Sequence, residues 1–252
     1  LQRLSETVDQ WIAKLKQYTN ALHICGQRNS YSKTDHDATF MHMKEDHMLN
    51  GQLKPGYNVN VATCSGFVIG SYISSDRNDV HTLIPFMEQL RKSYEGKQIG
   101  SAVVDSGYES EENYCWFENH PETELYVKPS NHEVRKRKKY RTDISRRENM
   151  EYDPESDAYI CAAGKRLTET RQKKSHLTSG LEIVTSIYEC ADCAGCPLKE
   201  KCIRACGSKK PLEERNKVIY VSKRFARQRE EMEAKISTPK GQLLRINRSI
   251  QA

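Results

Sequence analysis

The segment between residues 99 and 130 constrains the fold more than any other part of the sequence. Its apolar run "AVV" ends at Asp105, and a Ser-Gly pair then breaks the predicted strand. Ser110 is placed as a helix N-cap, because two glutamates follow it in the first turn. The run "ELYVKPS" at 124–130 predicts a second strand. A strand, a crossover helix and another strand imply parallel pairing, so the sequence predicts an α/β sheet.

Upstream of this segment, residues 54–76 have the two-residue period of β-strands. Apolar and polar side chains alternate in "YNVNVAT", and Ser65-Gly66 is placed to turn the chain back as a hairpin. Residues 78–94 then have helical spacing, in which Pro85 fits either the first turn or a kink. The predicted strands of residues 54–130 are therefore expected to share one sheet.

The sequence predicts a helix near each end of the chain. Apolar residues within 1–20 recur at intervals of three and four, as Leu4, Trp11 and Leu15 show. A helix of this length is more typical of packing against its own core than of a coiled coil. Residues 222–237 predict another helix. Between the ends, "YDPESDAYICAAGKRL" predicts a small hairpin.

These patterns divide the chain into four segments. They are a helix and polar loop at 1–53, a core segment at 54–130, a basic and cysteine-rich insertion at 131–210, and a helical return toward the core at 211–252.

The positive charge of the chain is concentrated in one place. The net charge is +6, and "EVRKRKKYRTDISRR", Glu133 to Arg147, alone holds eight Lys/Arg and two acids. Such a run suits a polyanion, because each neutralised phosphate releases a counterion. A solvated loop or a nuclear-localisation-like tract are the alternatives. No apolar run approaches a membrane span and no signal peptide is present, so the expected location is cytoplasmic.

A cluster of cysteines follows the basic run. The sequence "CADCAGCPLKEKC" places Cys190, Cys193, Cys196 and Cys202 among polar residues, where packing does not explain four thiols. Sulfur ligands at this spacing favour a closed, structural Zn²⁺ site, with an iron–sulfur cluster as the less favoured alternative. Two further cysteines are reserve ligands, and three in apolar contexts are expected in the core: Cys161 and Cys206, and Cys25, Cys64 and Cys115.

Asp105 is the second candidate for chemistry. Catalytic groups in open α/β sheets gather beyond the carboxyl ends of strands, where a carboxylate can hold Mg²⁺. A single carboxylate is a weak metal site, however, and two-metal phosphoryl transfer needs several. From these residues alone, a simple turn at Asp105 is the stronger interpretation.

Several long stretches resemble the DDE-type transposases of bacterial insertion sequences, and most nearly the IS eleven-eighty-two group. The resemblance extends over nearly the whole chain. It is carried by "RNSYSKTDHDATFMHMKEDHMLNGQLKPGYNV", "VVDSGYESEEN", "YVKPSNHE", "RRENM", "YDPESDAYIC", the cysteine cluster and "LLRINRSIQA".

This resemblance implies an α/β fold: a ribonuclease-H-like mixed sheet with flanking helices, incomplete here, plus a small cysteine-rich metal-binding insertion. In that family, Asp, Asp and Glu hold two Mg²⁺ (or Mn²⁺) ions that cut and join DNA. The motif "DSGYESEEN" places the second Asp at Asp105. The first Asp, in a DGT-like strand, is expected before Leu1, and the Glu after Ala252. The chain is therefore expected to be an internal fragment that is inactive alone.

The implied partner is DNA at the terminal inverted repeats of the insertion sequence, with a homo-oligomer possible in the full enzyme. The predicted DNA-backbone contacts are Arg135, Lys136, Arg137, Lys138, Lys139, Arg141, Arg146 and Arg147. A second possible contact face, or else a solvated helix face, comprises Arg224, Arg227 and Arg229. Two other functions compete with this hypothesis: a non-enzymatic, zinc-stabilised nucleic-acid-binding module or domesticated transposase remnant, and, less favoured, an iron–sulfur redox protein.

Overall fold

The computed structural model describes residues 2–43, 48–95, 97–204 and 210–251. The chain divides into two compact units between Ile99 and Gly100. No helix among these residues is long and apolar enough to cross a membrane.

The first unit contains two helices and two small antiparallel sheets. Helix α1 spans Gln2–Cys25 and α2 spans Leu83–Ser93. Strand β1 (Thr39–Met41) pairs with β2 (Lys54–Gly56), and β3 (Asn58–Cys64) pairs with β4 (Phe67–Ser74). The predicted hairpin of residues 54–76 is thus confirmed in β3 and β4.

Local chemistry explains the hairpin and the helix that packs on it. Ser65 and Gly66 have φ values of 51° and 81°, and two positive φ angles match the right-handed twist of the flanking strands. Gly70 lets α2 approach β4 closely, because an added Cβ would lie 2.5 Å from Leu90 Cδ2. Pro85 lies in the first turn of α2, which needs no N–H at that position, so it does not kink the helix.

Helix α1 is confirmed, but its expected packing is not observed. Leu4, Trp11 and Leu22 are 69%, 63% and 73% exposed, so its apolar side does not join a core. Apolar residues at intervals of three and four show that one side of a helix is apolar. They do not show which part of the protein covers that side.

The second unit begins with the predicted strand–helix–strand segment. Strand β5 (Ser101–Val104) pairs in parallel with β6 (Glu124–Val127), and α3 (Glu111–Glu118) connects them. Ser110 caps α3 by accepting a hydrogen bond from Asn113 N at 3.0 Å. The parallel pairing is therefore confirmed.

The expectation of one sheet over residues 54–130 is wrong for the described residues. Strands β3–β4 and β5–β6 form two separate two-stranded sheets. Each pairing is specified locally, by a tight turn or by a crossover helix, whereas nothing local specifies a strand that would join the two pairs.

An antiparallel sheet of five strands dominates the second unit. Its order is β11-β10-β9-β8-β7, and its strands are β7 (Glu151–Asp153), β8 (Ala158–Ile160), β9 (Arg166–His176), β10 (Glu182–Cys190) and β11 (Val218–Val221). The predicted hairpin corresponds to β7 and β8. Strands β9, β10 and β11 were not predicted. The pattern of β9 gave no strand signal, because β9 is polar and mostly exposed. The segment expected to be a small insertion is thus the largest sheet of the described chain.

One face of this sheet carries a hydrophobic core. Leu167 and Tyr188 are fully buried there, beside a cluster completed by Tyr159, Cys190, Cys193, Ile219 and Val221. Helices close the unit: α4 (His132–Arg135), α5 (Lys138–Arg141), α6 (Lys199–Cys202), α7 (Lys223–Ser237) and α8 (Pro239–Gln251). The predicted helix at 222–237 is confirmed as α7, with Ser222 as its N-cap and Pro239 opening α8.

Candidate functional site

Asp105 lies directly after the carboxyl end of β5. Its Oδ1 accepts a hydrogen bond from Ser106 N at 2.7 Å, which caps a short turn over Ser106–Tyr108. The side chain remains 54% exposed, and Oδ2 lies 3.6 Å from the guanidinium of Arg248 on α8. The structure therefore presents this carboxylate to solvent at a strand end, beside the last turns of α8.

A buried ion pair anchors the loop that carries Asp105. The Glu109 side chain, 1% exposed, accepts hydrogen bonds from Arg229 Nε and Nη2 at 2.7 and 2.6 Å. Ser130 N, just after β6, donates to the same carboxylate at 2.9 Å, and Tyr114 Oη donates at 3.2 Å. The loop after β5 is thereby tied both to α7 and to the segment that follows β6.

The electrostatics of Glu109 follow from these contacts. Burial acts to raise the pKa of the Glu109 carboxyl, but the hydrogen bonds from Arg229 and Ser130 outweigh burial and hold the pKa below its ordinary value. Glu109 is therefore ionised at neutral pH. The residue was not singled out in the sequence, where it is one of three glutamates in "ESEE".

The arginines of α7 bind protein rather than forming a free contact face. Arg224 Nε donates to Glu111 Oε1 at 2.6 Å, and Arg229 binds Glu109. Arg227 lies 3.6 Å from Glu118 and 3.5 Å from Glu231. Neither predicted role, a DNA contact face or a solvated face, describes Arg224 and Arg229, which fasten α7 to the segment around α3.

The described residues do not by themselves fit a divalent cation at Asp105. Among them no group of three or more His, Cys, Asp or Glu side chains is arranged to hold a metal ion. The ion-pair partner of Asp105 is the cation of Arg248 rather than a second carboxylate. This arrangement therefore does not support a chemical step through a metal.

The basic run forms the short helices α4 and α5 and the turns around them. Three of its eight predicted DNA contacts have acidic partners: Lys136 with Glu133 at 3.1 Å, Arg146 with Asp143 at 3.1 Å, and Arg147 with Glu148 at 3.8 Å. The other five are exposed and form no ion pair within the described ranges: Arg135, Arg137, Lys138, Lys139 and Arg141. These five are the cations available to an external anion.

The clustered cysteines lie close to one another. Cys193, Cys196 and Cys202 line one small cavity together with Cys161. Cys190 lies beside Cys193 in the hydrophobic core, and burial together with neighbouring Cys193 raises the pKa of its thiol to about 11. Cys161 was only a reserve ligand in the sequence. The other reserve ligand, Cys206, lies outside the described residues.

A buried lysine borders the same cavity. Lys217 N donates to Cys193 Sγ at 3.4 Å, and Lys217 Nζ donates to the carbonyls of Ser145 and Cys202 at 2.7 and 3.0 Å. The cysteines in the described ranges carry no disulfide. Since these sulfurs do not form a metal-holding group as placed, zinc remains a prediction.

The three cysteines expected in the core have different outcomes. Cys115 is buried, Cys25 is half-buried, and Cys64 is exposed at the end of β3. The prediction is wrong for Cys64, because β3 belongs to a two-stranded sheet that leaves its tip in solvent.

Comparison with known proteins gives one match. A family model described as Transposase DDE domain matches residues 160–252, a range that includes the cysteine cluster, α7 and α8 but not Asp105. No curated protein and no solved structure matches the chain.

The Glu109–Arg229 pair yields a stability prediction. Replacing Glu109 by Gln leaves the Arg229 guanidinium without its anion, which is expected to cost about 3 kcal/mol of unfolding free energy at neutral pH. Because the pKa of Glu109 is lowered in the folded state, this stabilisation is present above the ordinary glutamate pKa, about 4.3. It is lost as the pH falls through the lowered folded value. Urea unfolding of both proteins at neutral and acidic pH should therefore show a difference that shrinks in acid.

Arg227→Gln is the matched control, since Arg227 is on the same helix and its side chain is 61% exposed. Its effect is expected within about 0.5 kcal/mol at either pH. A Glu109→Gln protein as stable as the unmodified chain at neutral pH would contradict the anchoring role.

Proposed function

We propose that the chain, of which residues 160–252 match the Transposase DDE domain, is a DDE-type transposase that cuts and joins DNA at the ends of an insertion sequence. In this proposal Asp105 is the second of three catalytic carboxylates. The proposed substrate is the terminal inverted repeats of the element, on which the complete enzyme acts as a homo-oligomer. The fold proposed for its core is ribonuclease-H-like.

One observation supports this role for Asp105 above the others. The carboxylate lies at the end of a parallel strand, within ion-pair distance of Arg248 near the end of α8. The resemblance places the family's glutamate just past "RSIQ", which is the sequence of the last turns of α8. A glutamate there would continue the helix that already contacts Asp105.

The chemistry assigned to the site follows from the family. Divalent ions held by Asp105 together with the family's other two carboxylates would supply the Lewis acidity that this reaction needs. The contribution of this chain is to hold the Asp105 carboxylate at a rigid strand end, with Glu109 and Arg229 fixing the adjoining loop. The arginine beside Asp105 balances its charge. The resemblance assigns no residue of this chain to the first aspartate or to the glutamate, and Asp105 is the catalytic carboxylate proposed here.

The basic run is proposed to contact the DNA backbone. Five exposed cations without ion pairs in the described part of the chain support this assignment. They neutralise phosphates without reading sequence, so they position the DNA rather than select it.

A second function is favoured by a different observation. Five exposed cations of the basic run form no ion pair within the described residues, and they favour a non-enzymatic nucleic-acid-binding module as the alternative. It would use the same basic run and would have no need of Asp105.

Zinc is proposed as a structural ion held by Cys190, Cys193, Cys196 and Cys202, with Cys161 as a reserve ligand at the same cavity and an iron–sulfur cluster less favoured. Support comes from the sulfur donors on one cavity and from the N–H of Lys217 that points at Cys193 Sγ. As placed, the sulfurs do not form a metal-holding group, so binding requires them to turn toward the cavity.

The catalytic assignment is tested in a protein extended at both ends to include the two other carboxylates. Asp105→Asn is expected to abolish strand transfer on terminal-repeat DNA with Mg²⁺ or Mn²⁺, because Asn cannot replace an anionic metal ligand. DNA affinity, measured by titration, should remain nearly unchanged. The control is Asp9→Asn, at an exposed position on α1. Retained transfer by Asp105→Asn would reject the assignment in favour of the binding module.

The backbone contacts are tested by the salt dependence of DNA binding. The double variant Lys138→Gln, Lys139→Gln should reduce the slope of log affinity against log salt by roughly 2, since each phosphate contact contributes about 0.9. Lys14→Gln, Lys16→Gln on α1 makes the same charge change elsewhere and should leave the slope unaltered. Equal slopes in the two variants would contradict the role of the basic run.

The zinc proposal is tested by elemental analysis of protein purified under reducing conditions. The chain is expected to retain about one zinc ion, the stoichiometry of a closed four-ligand site. Cys196→Ser, Cys202→Ser should lose it, whereas Cys64→Ser, at an exposed thiol, should not. A metal-free unmodified chain would refute the proposal, and visible absorbance with bound iron would replace zinc by a cluster.

A further inference from the structure

A cleft in the second unit is lined by aromatic and basic side chains, and Asp105 is not among them. It has a volume of 400 Å³ and lies between the five-stranded sheet, α7 and the segment that follows β6. We propose that this tyrosine cleft, named for Tyr152, Tyr159 and Tyr188, binds one unpaired nucleotide of a DNA strand. The inference rests on the proposed action on DNA and adds a binding site to it.

The aromatic wall of the cleft is rigid. The rings of Tyr152 and Tyr159 have centroids 4.8 Å apart, and those of Tyr159 and Tyr188 are 5.0 Å apart at 85°. Tyr159 and Tyr188 are buried, whereas Tyr152 is 44% exposed. Tyr152 is thus the ring that a ligand can cover, and it is supported from behind by the other two.

Asp157 fixes this wall. Tyr152 Oη and Tyr188 Oη donate hydrogen bonds to Asp157 Oδ1 at 2.7 and 2.8 Å, and Lys223 Nζ donates to Oδ2 at 2.7 Å. A ring held in this way loses little conformational entropy when a base stacks on it, so more of the stacking energy is retained as affinity.

The rim of the cleft is basic. Five basic side chains line it against two acidic ones: Arg135, Arg147, Lys223, Arg227 and Arg229 against Glu148 and Glu230. Lys223 and Arg229 are occupied by internal ion pairs. Arg135 forms none in the described ranges and is also the first cation of the basic run, so a strand whose backbone follows that run reaches the cleft at Arg135.

Size and chemistry together select the ligand. A volume of 400 Å³ lies in the range of small-molecule sites, roughly 300–1,000 Å³, which accommodates a nucleotide but not a duplex. A nucleotide offers an aromatic face to Tyr152 and a phosphate to Arg135. Extracting a base from a duplex costs a few kcal/mol. Base–aromatic stacking contributes about 1–3 kcal/mol of binding free energy, which does not clearly exceed the cost of extraction. The cleft should therefore prefer bases that are already unpaired.

The test compares two DNAs of the same sequence, one blunt and one with a short single-stranded overhang that carries 2-aminopurine. Binding of the overhang should quench 2-aminopurine fluorescence as its base stacks. Tyr152→Leu should weaken overhang binding by about 5- to 100-fold, the loss of one stacking interaction, and relieve the quenching. Blunt-duplex affinity should not change.

Three variants separate stacking from other causes. Tyr152→Phe keeps the ring without its hydroxyl and should retain the preference for the overhang. Tyr220→Leu removes a 65% exposed tyrosine that does not line the cleft and should have no effect. Arg135→Gln, an exposed change that leaves the aromatic wall intact, should weaken overhang binding without relieving the quenching of the bound base.

The outcomes distinguish this site from the proposed catalytic function. If Tyr152→Leu and Arg135→Gln bind the overhang as well as the unmodified chain, or if Tyr220→Leu weakens it equally, the tyrosine cleft is not a nucleotide site. Asp105→Asn should keep both overhang binding and quenching. Loss of strand transfer in Asp105→Asn together with unaffected Tyr152→Leu would refute only the cleft.

Discussion

The buried pair between Glu109 and Arg229 holds the second unit together at the place where its chemistry is expected. A bare carboxylate with 1% exposure is costly to bury unless it is paired and fully hydrogen-bonded, and Glu109 receives bonds from Arg229, Ser130 and Tyr114. Because these partners come from α7, from the chain after β6 and from α3, one carboxylate fixes three elements. Asp105 gains a defined position from this anchor without being buried itself, which leaves it available to solvent and ligands.

The five-stranded sheet organises the other functional features of this unit. Its core buries Leu167 and Tyr188 completely, so the strands hold their neighbours in fixed positions. The cysteine-lined cavity and the tyrosine cleft both lie next to this core. Both are lined in part by the segment predicted as an insertion, residues 131–210, and in part by residues that follow it, such as Lys217 and Lys223. A sheet of this size gives the second unit a rigid support for both cavities.

The predictions made from the sequence were correct where the interactions that form an element are local, and wrong where they join distant segments. The parallel β5–β6 pair, the β3–β4 hairpin and α7 were predicted correctly, because caps, turns and periodicity act over a few residues. The single sheet over residues 54–130 was wrong, and β9 and β10 were missed. The polar residues of β9 gain their strand conformation from pairing with β10 rather than from their own propensity.

The sequence by itself determined the aspartate at a strand end, the concentration of positive charge and the presence of clustered thiols, since each is a property of neighbouring residues. The tertiary structure alone decided which of these groups meet. Arg229 binds a glutamate 120 residues away, Cys161 joins Cys193, Cys196 and Cys202 at one cavity, and three tyrosines from different strands line one cleft. Such contacts depend on how distant segments pack, and packing is a property of the whole chain rather than of any local pattern.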